Sequence, residues 1–110
     1  WGDEMDDSYC WYGKNSEDAT QSVTAHAHKT NAFGLADMSG NVWEWCQDEW
    51  VDDYSKGPGN SRPLSGDSFI RVLRGGCWHH NAASCRSANR EQSKPSSRFN
   101  NIGFRVARTL

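Results

Sequence analysis

Leu73-Arg-Gly-Gly-Cys-Trp78 opens a run of residues, 73–105, in which two classes of side chain alternate. Arginines, glycines and aromatic residues recur along the run and are typical of a framework. Small polar residues and histidines fill the positions between them. A rigid scaffold that carries a binding surface on its loops has this pattern. The run therefore predicts a fixed framework whose intervening side chains form a variable surface.

Short β-strands are the elements that the sequence predicts around this run. Residues 42–47 alternate with a two-residue period, with Val42 on one face and Trp43 on the other. No window keeps the apolar period of an α-helix. The sequence therefore predicts a small antiparallel sheet with long loops. The predicted strands cover residues 42–47, 69–74, 84–88 and 102–107, the last with Phe104 and Val106 on one face.

The composition of the 110-residue chain fits one small domain with an aromatic core. Only 35% of the residues are hydrophobic and the mean hydropathy is -0.88. Six Trp, three Tyr and four Phe compensate, because each aromatic side chain buries a large area. No apolar stretch approaches the roughly 20 residues that a membrane span needs, so none is predicted in this segment.

Charge is divided sharply between the two halves of the chain. Residues 1–55 carry twelve acidic and two basic residues, a net charge of -10, and residues 56–110 carry two acidic and ten basic residues, a net charge of +8. A nucleic-acid surface is one interpretation of the basic half. The arginines stand singly among Gly, Ser and Asn, which favours two halves that fold together and pair. We therefore predict no nucleic-acid partner.

Four cysteines, Cys10, Cys46, Cys77 and Cys85, are spread along the chain without a CxxC pair. Structural zinc sites have closer ligand spacing than these cysteines offer. Four cysteines also allow three complete disulfide pairings. The pattern favours buried thiols or one disulfide over a metal site made by cysteines.

Four motifs carry a resemblance to a known family. They are Asn31-Ala-Phe-Gly-Leu35, Asp37-Met-Ser-Gly-Asn-Val-Trp-Glu-Trp45, Arg74-Gly-Gly76 and Gly103-Phe-Arg105. With them the chain resembles the formylglycine-generating enzyme (sulfatase-modifying factor) family over nearly its whole length. The resemblance implies an α+β, C-type-lectin-like fold, a small twisted antiparallel sheet with long ordered loops and little helix. It also implies that residues 1–110 are a single domain, the C-terminal portion of a longer protein.

A narrower group within that family is more similar still. Residues 74–90 and 100–106 resemble the variable proteins of diversity-generating retroelements, which rewrite the end of a gene for a lectin-fold binding protein. The resemblance implies a non-catalytic domain on a secreted, cell-surface or phage-displayed protein. Its residues 78–101 would bind a protein or cell-surface ligand. An ordinary solvated loop is the alternative. The predicted binding residues are His79, His80, Asn81, Ser84, Glu91, Gln92, Ser93, Lys94, Ser96, Ser97, Phe99 and Asn100.

Arginines inside these motifs are predicted to be structural. A guanidinium group donates to several loop carbonyls or carboxylates at once, which suits a chain that has long loops and few hydrogen bonds between strands. The predicted framework consists of Trp43, Trp45, Arg74, Arg86, Arg90, Phe104 and Arg105.

The resemblance also raises an enzymatic alternative, a formylglycine-generating-type copper oxidase or a degenerate relative of one. Those enzymes bind copper(I) with two cysteines after the Gly-Gly turn, and the matching positions here are His80 and Cys85. Cys77 follows the turn directly, with seven residues between it and Cys85. Thiolates must converge on one ion. This broken pair therefore predicts neither oxidase activity nor a catalytic cofactor.

Histidines offer a second metal hypothesis, since an enzyme of the same superfamily uses non-haem iron. His26 and His28 would share one strand face, and His79 and His80 would add further imidazoles. No carboxylate is placed to complete a facial triad, so the sequence does not favour a metal at these histidines.

The sequence favours calcium over copper at the cysteines and over a metal at the histidines. Calcium binds several carboxylate and loop-carbonyl oxygens. The resemblance implies side-chain ligands at Asp37 and Glu44 and backbone carbonyl ligands at Gly40 and Val42. Hydrogen bonds that close the turn without an ion are the alternative. Any calcium here would be structural.

Overall fold

The computed structural model describes residues 4–24, 29–57, 59–60, 62–66 and 69–108. The strands within them are β1 Cys10–Trp11, β2 Ser39–Gly40, β3 Trp43–Glu49, β4 Arg71–Arg74, β5 Glu91–Ser93 and β6 Ile102–Gly103. The helices are short 3-10 turns at Asp7–Tyr9, Tyr54–Lys56 and Ala82–Cys85. None of these described helices has the length and apolar content that a membrane crossing requires. The prediction of little helix is confirmed.

A mixed four-stranded sheet with the order β5-β4-β3-β6 forms the centre. β4 is antiparallel to both neighbours, with Leu73 opposite Trp45 in β3 and opposite Glu91 in β5. β6 is parallel to β3, with Ile102 opposite Trp43. The prediction of an antiparallel sheet is wrong at this edge, because the long loop after β5 brings the chain into β6 in the same direction as β3. β1 and β2 form a separate parallel pair.

Two predicted strands are confirmed with shifted ends. β3 covers Trp43–Glu49 where residues 42–47 were predicted, and β4 covers Arg71–Arg74 where residues 69–74 were predicted. β4 begins at Arg71 and not at residue 69, because Phe69 is 92% exposed and precedes the first residue that pairs with a neighbouring strand. Both strands bury residues in the core, Trp43 in β3 and Val72 and Leu73 in β4.

The strand predicted at residues 84–88 is wrong. Ala82–Cys85 is a 3-10 helix, and the Asn81 side chain caps it by accepting a hydrogen bond from the backbone N–H of Ser84. The Arg74 guanidinium donates to the carbonyls of residues 87, 88 and 89 at 3.0 to 3.1 Å. These carbonyls therefore have a hydrogen-bond partner without any neighbouring strand.

The closing strand predicted at residues 102–107 is wrong beyond Gly103. Phe104 and Val106 are 77% and 84% exposed, so Phe104 does not belong to a buried framework. Arg105 holds this part of the chain instead. Its guanidinium donates to the carbonyls of residues 36 and 37, which lie far away in sequence.

The core is small and consists of two clusters of buried residues. All four phenylalanines are exposed by 62% or more, so the aromatic core predicted from composition is only partly formed. Thiols fill much of the space that aromatic rings were expected to fill, because three of the four cysteines are fully buried. The first cluster contains Cys10, Tyr12 and Cys85, and the second contains Trp43, Leu73 and Cys77.

Arginines fasten the loops to the sheet, as predicted for Arg74, Arg90 and Arg105. The Arg90 guanidinium lies 4.2 Å from the ring centres of both Trp50 and Tyr54 and donates to the carbonyls of residues 51 and 52. Arg86 differs from the other three. It is exposed and donates to a carbonyl three residues earlier, so its contact is local.

The acidic first half and the basic second half fold onto each other, as the charge distribution predicts. Arg71 forms an ion pair with Glu49 at 3.0 Å, and Arg105 forms one with Glu44 at 2.8 Å. Each pair joins an arginine of the second half to a carboxylate of the first. The opposite charges therefore stabilise the packing of the two halves.

Candidate ligand-binding groove

A groove of about 260 Å³ opens beside β5, the edge strand of the sheet. Trp43 and Leu73 form its base, because both side chains are buried in the core. The base is therefore fixed by the packing of the sheet. The other lining residues are His80, Glu91, Gln92, Ser93, Phe99, Asn101 and Ile102.

β5 supplies one wall of this groove. Its backbone pairs with β4, with Gln92 opposite Val72, so the strand is held by main-chain hydrogen bonds. The side chains of Glu91 and Gln92 are exposed, and Ser93 is half-buried. The wall can therefore change its side chains without changing its backbone partners.

The loop between β5 and β6 supplies the opposite wall and holds its own shape. The N–H of Ser97 donates to the carbonyl of Lys94 at 2.9 Å, and the N–H of Ile102 donates to the carbonyl of Phe99 at 3.3 Å. The Arg98 guanidinium donates to the carbonyls of residues 95 and 97. These bonds leave the Phe99 ring 62% exposed. An exposed aromatic ring on a braced loop is suited to contact a partner.

A second, wider groove of about 690 Å³ adjoins the first, and Phe99 and Ile102 line both. Phe99 therefore stands where the two grooves meet. Together they form a concave surface that extends across the sheet from β5 to β6. The other residues that line the second groove are Trp45, Pro95, Ser97, Arg98, Gly103 and Phe104.

The predicted binding residues lie at the surface, and the structure brings a part of them together. Those that are exposed are His79, Asn81, Glu91, Gln92, Lys94, Ser96, Phe99 and Asn100, and those that are half-buried are His80, Ser84, Ser93 and Ser97. The first groove collects His80, Glu91, Gln92, Ser93 and Phe99, and the second adds Ser97. Neither groove is lined by His79, Asn81, Ser84, Lys94, Ser96 or Asn100.

The base of the first groove carries a hydrogen-bond donor that has no acceptor. The indole N–H of Trp43 is buried and finds no hydrogen-bond partner among the described residues. The His80 ring lies edge-on to Trp43, with 5.8 Å between ring centres. Burial, and then the neighbouring His79, lowers the pKa of His80 below its ordinary value, which favours the neutral ring. The groove thus presents an imidazole, polar side chains and the Glu91 carboxylate beside an aromatic ring.

Sequence reasoning missed the residues that form the base of the grooves. Trp43, Leu73 and Ile102 belong to strands. The sequence pattern of those strands indicated that the residues are buried, but it did not indicate that a groove lies above them. Asn101 adjoins the predicted Asn100 and could have been included on that ground. Which buried side chains reach a surface groove depends on the pairing of strands distant in sequence.

The two cysteines that follow the Gly-Gly turn, Cys77 and Cys85, pack in different core clusters. Cys85 packs with Cys10 and Tyr12, whereas Cys77 packs in the other core cluster. A hydrogen bond with Cys85, and then burial, raises the pKa of Cys10. The preference for buried thiols is confirmed for Cys10, Cys77 and Cys85, and all four cysteines are free.

The loop predicted to bind calcium is closed by hydrogen bonds. The Asp37 carboxylate is buried and accepts a hydrogen bond from the Asn41 side chain at 3.3 Å. Both carboxylate oxygens of Glu44 accept from the Arg105 guanidinium at 2.8 to 3.1 Å. Carboxylate oxygens have further lone pairs, so the donor set still fits a hard cation. Calcium at Asp37, Gly40, Val42 and Glu44 stays a prediction, and His26 and His28 lie outside the described residues.

Comparison with known proteins gives consistent matches. The model of the sulfatase-modifying factor enzyme 1-like domain matches residues 1–110. Serine/threonine-protein kinase pkn1 of Chlamydia pneumoniae is 36% identical over 91 residues, covering 80% of this chain and 15% of that protein. A formylglycine-generating enzyme of Streptomyces coelicolor is 33% identical over 123 residues, covering 97% of this chain and 39% of that protein.

Solved structures are also similar to the chain in both sequence and shape. One of them is Treponema denticola variable protein 1, with 38% sequence identity and a TM-score of 0.74, covering 88% of this chain and 34% of that one. The chain therefore spans between 15% and 39% of the length of these three relatives.

Proposed function

The chain belongs to the sulfatase-modifying factor enzyme 1-like family, and within it we propose that this domain is a non-catalytic ligand-binding module with a C-type-lectin-like fold. The predicted resemblance to formylglycine-generating enzymes and to variable proteins is confirmed at the level of family. The proposed ligand is a protein or another molecule at a cell surface. The proposed binding surface is the two adjoining grooves, with Phe99 between them.

One observation carries this proposal. Five of the twelve binding residues predicted from sequence line a single groove, and its base belongs to the buried framework. Side chains that are free to change therefore lie above a base whose residues are fixed in the core. Variable loops on a rigid scaffold are the arrangement that binding proteins with changeable specificity use.

The similarity to a variable protein supports the same proposal. That relative is a variable protein of Treponema denticola and shares 38% identity with this chain. We propose that residues 78–101 are a diversified segment and that the whole protein acts outside the cytoplasm, on a cell or phage surface. A search of the encoding genome checks the origin directly. We expect a nearby reverse transcriptase and a near-copy of the codons for residues 78–101 that differs mainly at adenines.

A display experiment tests the binding surface without knowledge of the natural ligand. The twelve predicted binding residues are randomised together in a surface-display library, and a second library randomises an equal number of framework positions, including Arg74, Arg90 and Arg105. We expect the first library to display folded protein and to yield binders to a probe such as hen egg lysozyme. The framework library should display little folded protein. Equal loss of folded display in both libraries would overturn the proposal.

A copper oxidase is the second candidate, because a relative that is 33% identical is named a formylglycine-generating enzyme. Cys85 occupies one of the two reactive positions and has Cys10 as its thiol neighbour. Both sulfurs are fully buried, which leaves no room for a substrate thiol. Copper-dependent oxygen uptake that is lost in both Cys10→Ser and Cys85→Ser would favour this candidate over the binding module.

A further inference from the structure

We propose that Cys77, His79 and His80 form a zinc site at the rim of the first groove. One ligand atom from each residue, a thiol sulfur and two imidazole nitrogens, lies within 4.8 Å of the other two. Cys77 Sγ is 3.6 Å from His79 Nδ1. Among the described residues, these are the ones that bring three such ligands together.

The spacing matches what a tetrahedral zinc ion imposes. Zinc binds thiolate sulfur at about 2.3 Å and imidazole nitrogen at about 2.0 Å, which places the two ligand atoms roughly 3.5 Å apart. The observed sulfur-to-nitrogen distance agrees with that value. The remaining ligand-to-ligand distances need a rotation of the imidazoles. The His79 and His80 rings lie with 4.3 Å between their centres, and His79 is exposed, so its ring can turn without displacing the core.

The backbone that carries the three ligands is fixed by contacts from distant parts of the chain. The N–H of Trp78 donates to the carbonyl of Asn41 at 2.8 Å, and the N–H of Gly13 donates to the carbonyl of His80 at 2.8 Å. The N–H of His80 donates to the carbonyl of Cys77 at 3.3 Å, which closes the turn. The backbone that carries the ligands is thus held before any metal arrives, so binding needs to order only the side chains, which lowers its entropy cost.

A hydrogen bond reaches the sulfur from outside the ligand set. The Asn101 side-chain amide donates to Cys77 Sγ at 3.7 Å. A hydrogen bond from outside the ligand set orients a ligand and tunes its affinity for the metal. Asn101 also lines the first groove, as does His80, so the site adjoins the surface proposed to bind a ligand.

One thiolate and two imidazoles are a donor set that selects zinc over the hard cations. Cys77 binds as the thiolate, so its proton passes to solvent when the metal enters. Three protein ligands leave a fourth tetrahedral position for water or for a donor atom of a bound partner. Zinc binding at this site does not require a ligand in the groove. The zinc site and the binding function of the groove can therefore be tested independently.

Cobalt(II) titration of the purified protein tests the site, because cobalt reports thiolate ligation by a near-ultraviolet charge-transfer band. We expect one cobalt ion per chain, this band, and its loss when zinc is added. Cys77→Ser should abolish the band, and His79→Gln should weaken cobalt binding at least about tenfold, the loss that even outer-shell changes cause in metal sites. Two control variants, Cys46→Ser and the double variant His26→Gln with His28→Gln, should keep both the band and the affinity.

The variant His79→Gln keeps the test decisive even if Cys77→Ser does not fold, because the His79 side chain is exposed. At the same zinc concentration, zinc should raise the Tm of the wild-type protein more than that of His79→Gln, since a ligand that binds the folded state more weakly shifts unfolding less. The proposal is overturned if the wild type shows no thiolate band, if the band survives Cys77→Ser, or if either control variant loses it.

Discussion

Arg105 donates three hydrogen bonds to the carboxylate of Glu44, a residue 61 positions earlier in the chain. The same guanidinium donates to the carbonyls of residues 36 and 37 at 3.0 and 3.1 Å. One side chain of the basic half therefore closes a loop of the acidic half onto β3. The contact also ends the sheet, because the chain after β6 is held by this arginine and not by a further ladder.

Arg105→Lys is expected to destabilise the protein although the charge is kept. A lysine ammonium cannot reproduce the planar fork that reaches a carboxylate and two carbonyls together. Because the pair is partly exposed, we expect a loss of about 1–2 kcal/mol in the free energy of unfolding, measured by urea denaturation. Arg86→Lys is the matched control and should stay within about 0.5 kcal/mol of wild type. Equal effects of the two variants would contradict this role for Arg105.

The strands that sequence reasoning located are those whose side chains enter the core. Trp43 lies in β3 and Leu73 lies in β4, and both side chains are buried in the core. Strands that bury such residues can be recognised from their apolar positions in the sequence. The parallel edge β6 could not be located in this way. It has two residues, and its direction depends on a long loop rather than on local pattern. The absence of a strand at residues 84–88 could not be foreseen either, because the guanidinium that binds the carbonyls of residues 87, 88 and 89 comes from β4.

The candidate site was predictable in its exposed part and not in its base. Small polar residues in a loop-rich run indicated a surface, and Glu91, Gln92 and Phe99 are exposed as that pattern implies. The sequence pattern did not predict that Cys77 lies beside two histidines. We considered metal sites made of cysteines alone and sites made of histidines with a carboxylate, but no site that combines a cysteine with histidines. Their convergence depends on how the turn after Gly76 is fixed by long-range hydrogen bonds.

Gly76→Ala is expected to be strongly destabilising. Gly76 has a φ of +79°, and an added Cβ would lie 2.8 Å from Cys85 Sγ and 2.9 Å from the carbonyl oxygen of Ser84. Gly34→Ala is the matched control, because Gly34 has a φ of +75° and open space around it. We expect about 1 kcal/mol for the control, from backbone conformation alone, and about 3 kcal/mol or more for Gly76→Ala, measured as changes in unfolding free energy. Equal losses would show that the turn does not pack on Cys85 as described.

Stability is expected to fall as the pH is lowered from 7.5 to 5.5, in part through His80. Burial lowers the pKa of His80 in the folded state below the ordinary value of about 6.5, so the unfolded chain takes up the proton more readily. The stabilising contribution is therefore present above the unfolded-state pKa and is lost as the pH falls through it and on to the folded-state pKa. His80→Gln should flatten this part of the urea-midpoint profile in the presence of EDTA, and Asn100→Gln should not. A profile unchanged by His80→Gln would contradict the prediction.

Calcium is expected to stabilise the loop that contains Asp37 and Glu44. If the loop oxygens bind the ion in addition to their hydrogen bonds, calcium added to EDTA-treated protein raises Tm, because binding favours the folded state. Asp37→Asn should remove this response. Magnesium is the control ion and should have less effect, because it demands a tighter octahedral geometry. A Tm that is independent of calcium would instead support the alternative in which hydrogen bonds alone close the turn.

Phe99→Ala is expected to weaken ligand binding without weakening the fold. The Phe99 ring is 62% exposed and lines both grooves, so its truncation removes contact area from the proposed binding surface and little from the core. Phe69→Ala is the matched control, because Phe69 is 92% exposed and lines neither groove. For a binder from the display library that has retained Phe99, we expect at least about a tenfold loss of affinity with Phe99→Ala, the scale of an aromatic anchor at an interface. Both variants should unfold within about 0.5 kcal/mol of wild type, as surface substitutions do. An affinity that survives Phe99→Ala, or falls equally with Phe69→Ala, would place the binding surface elsewhere on the domain.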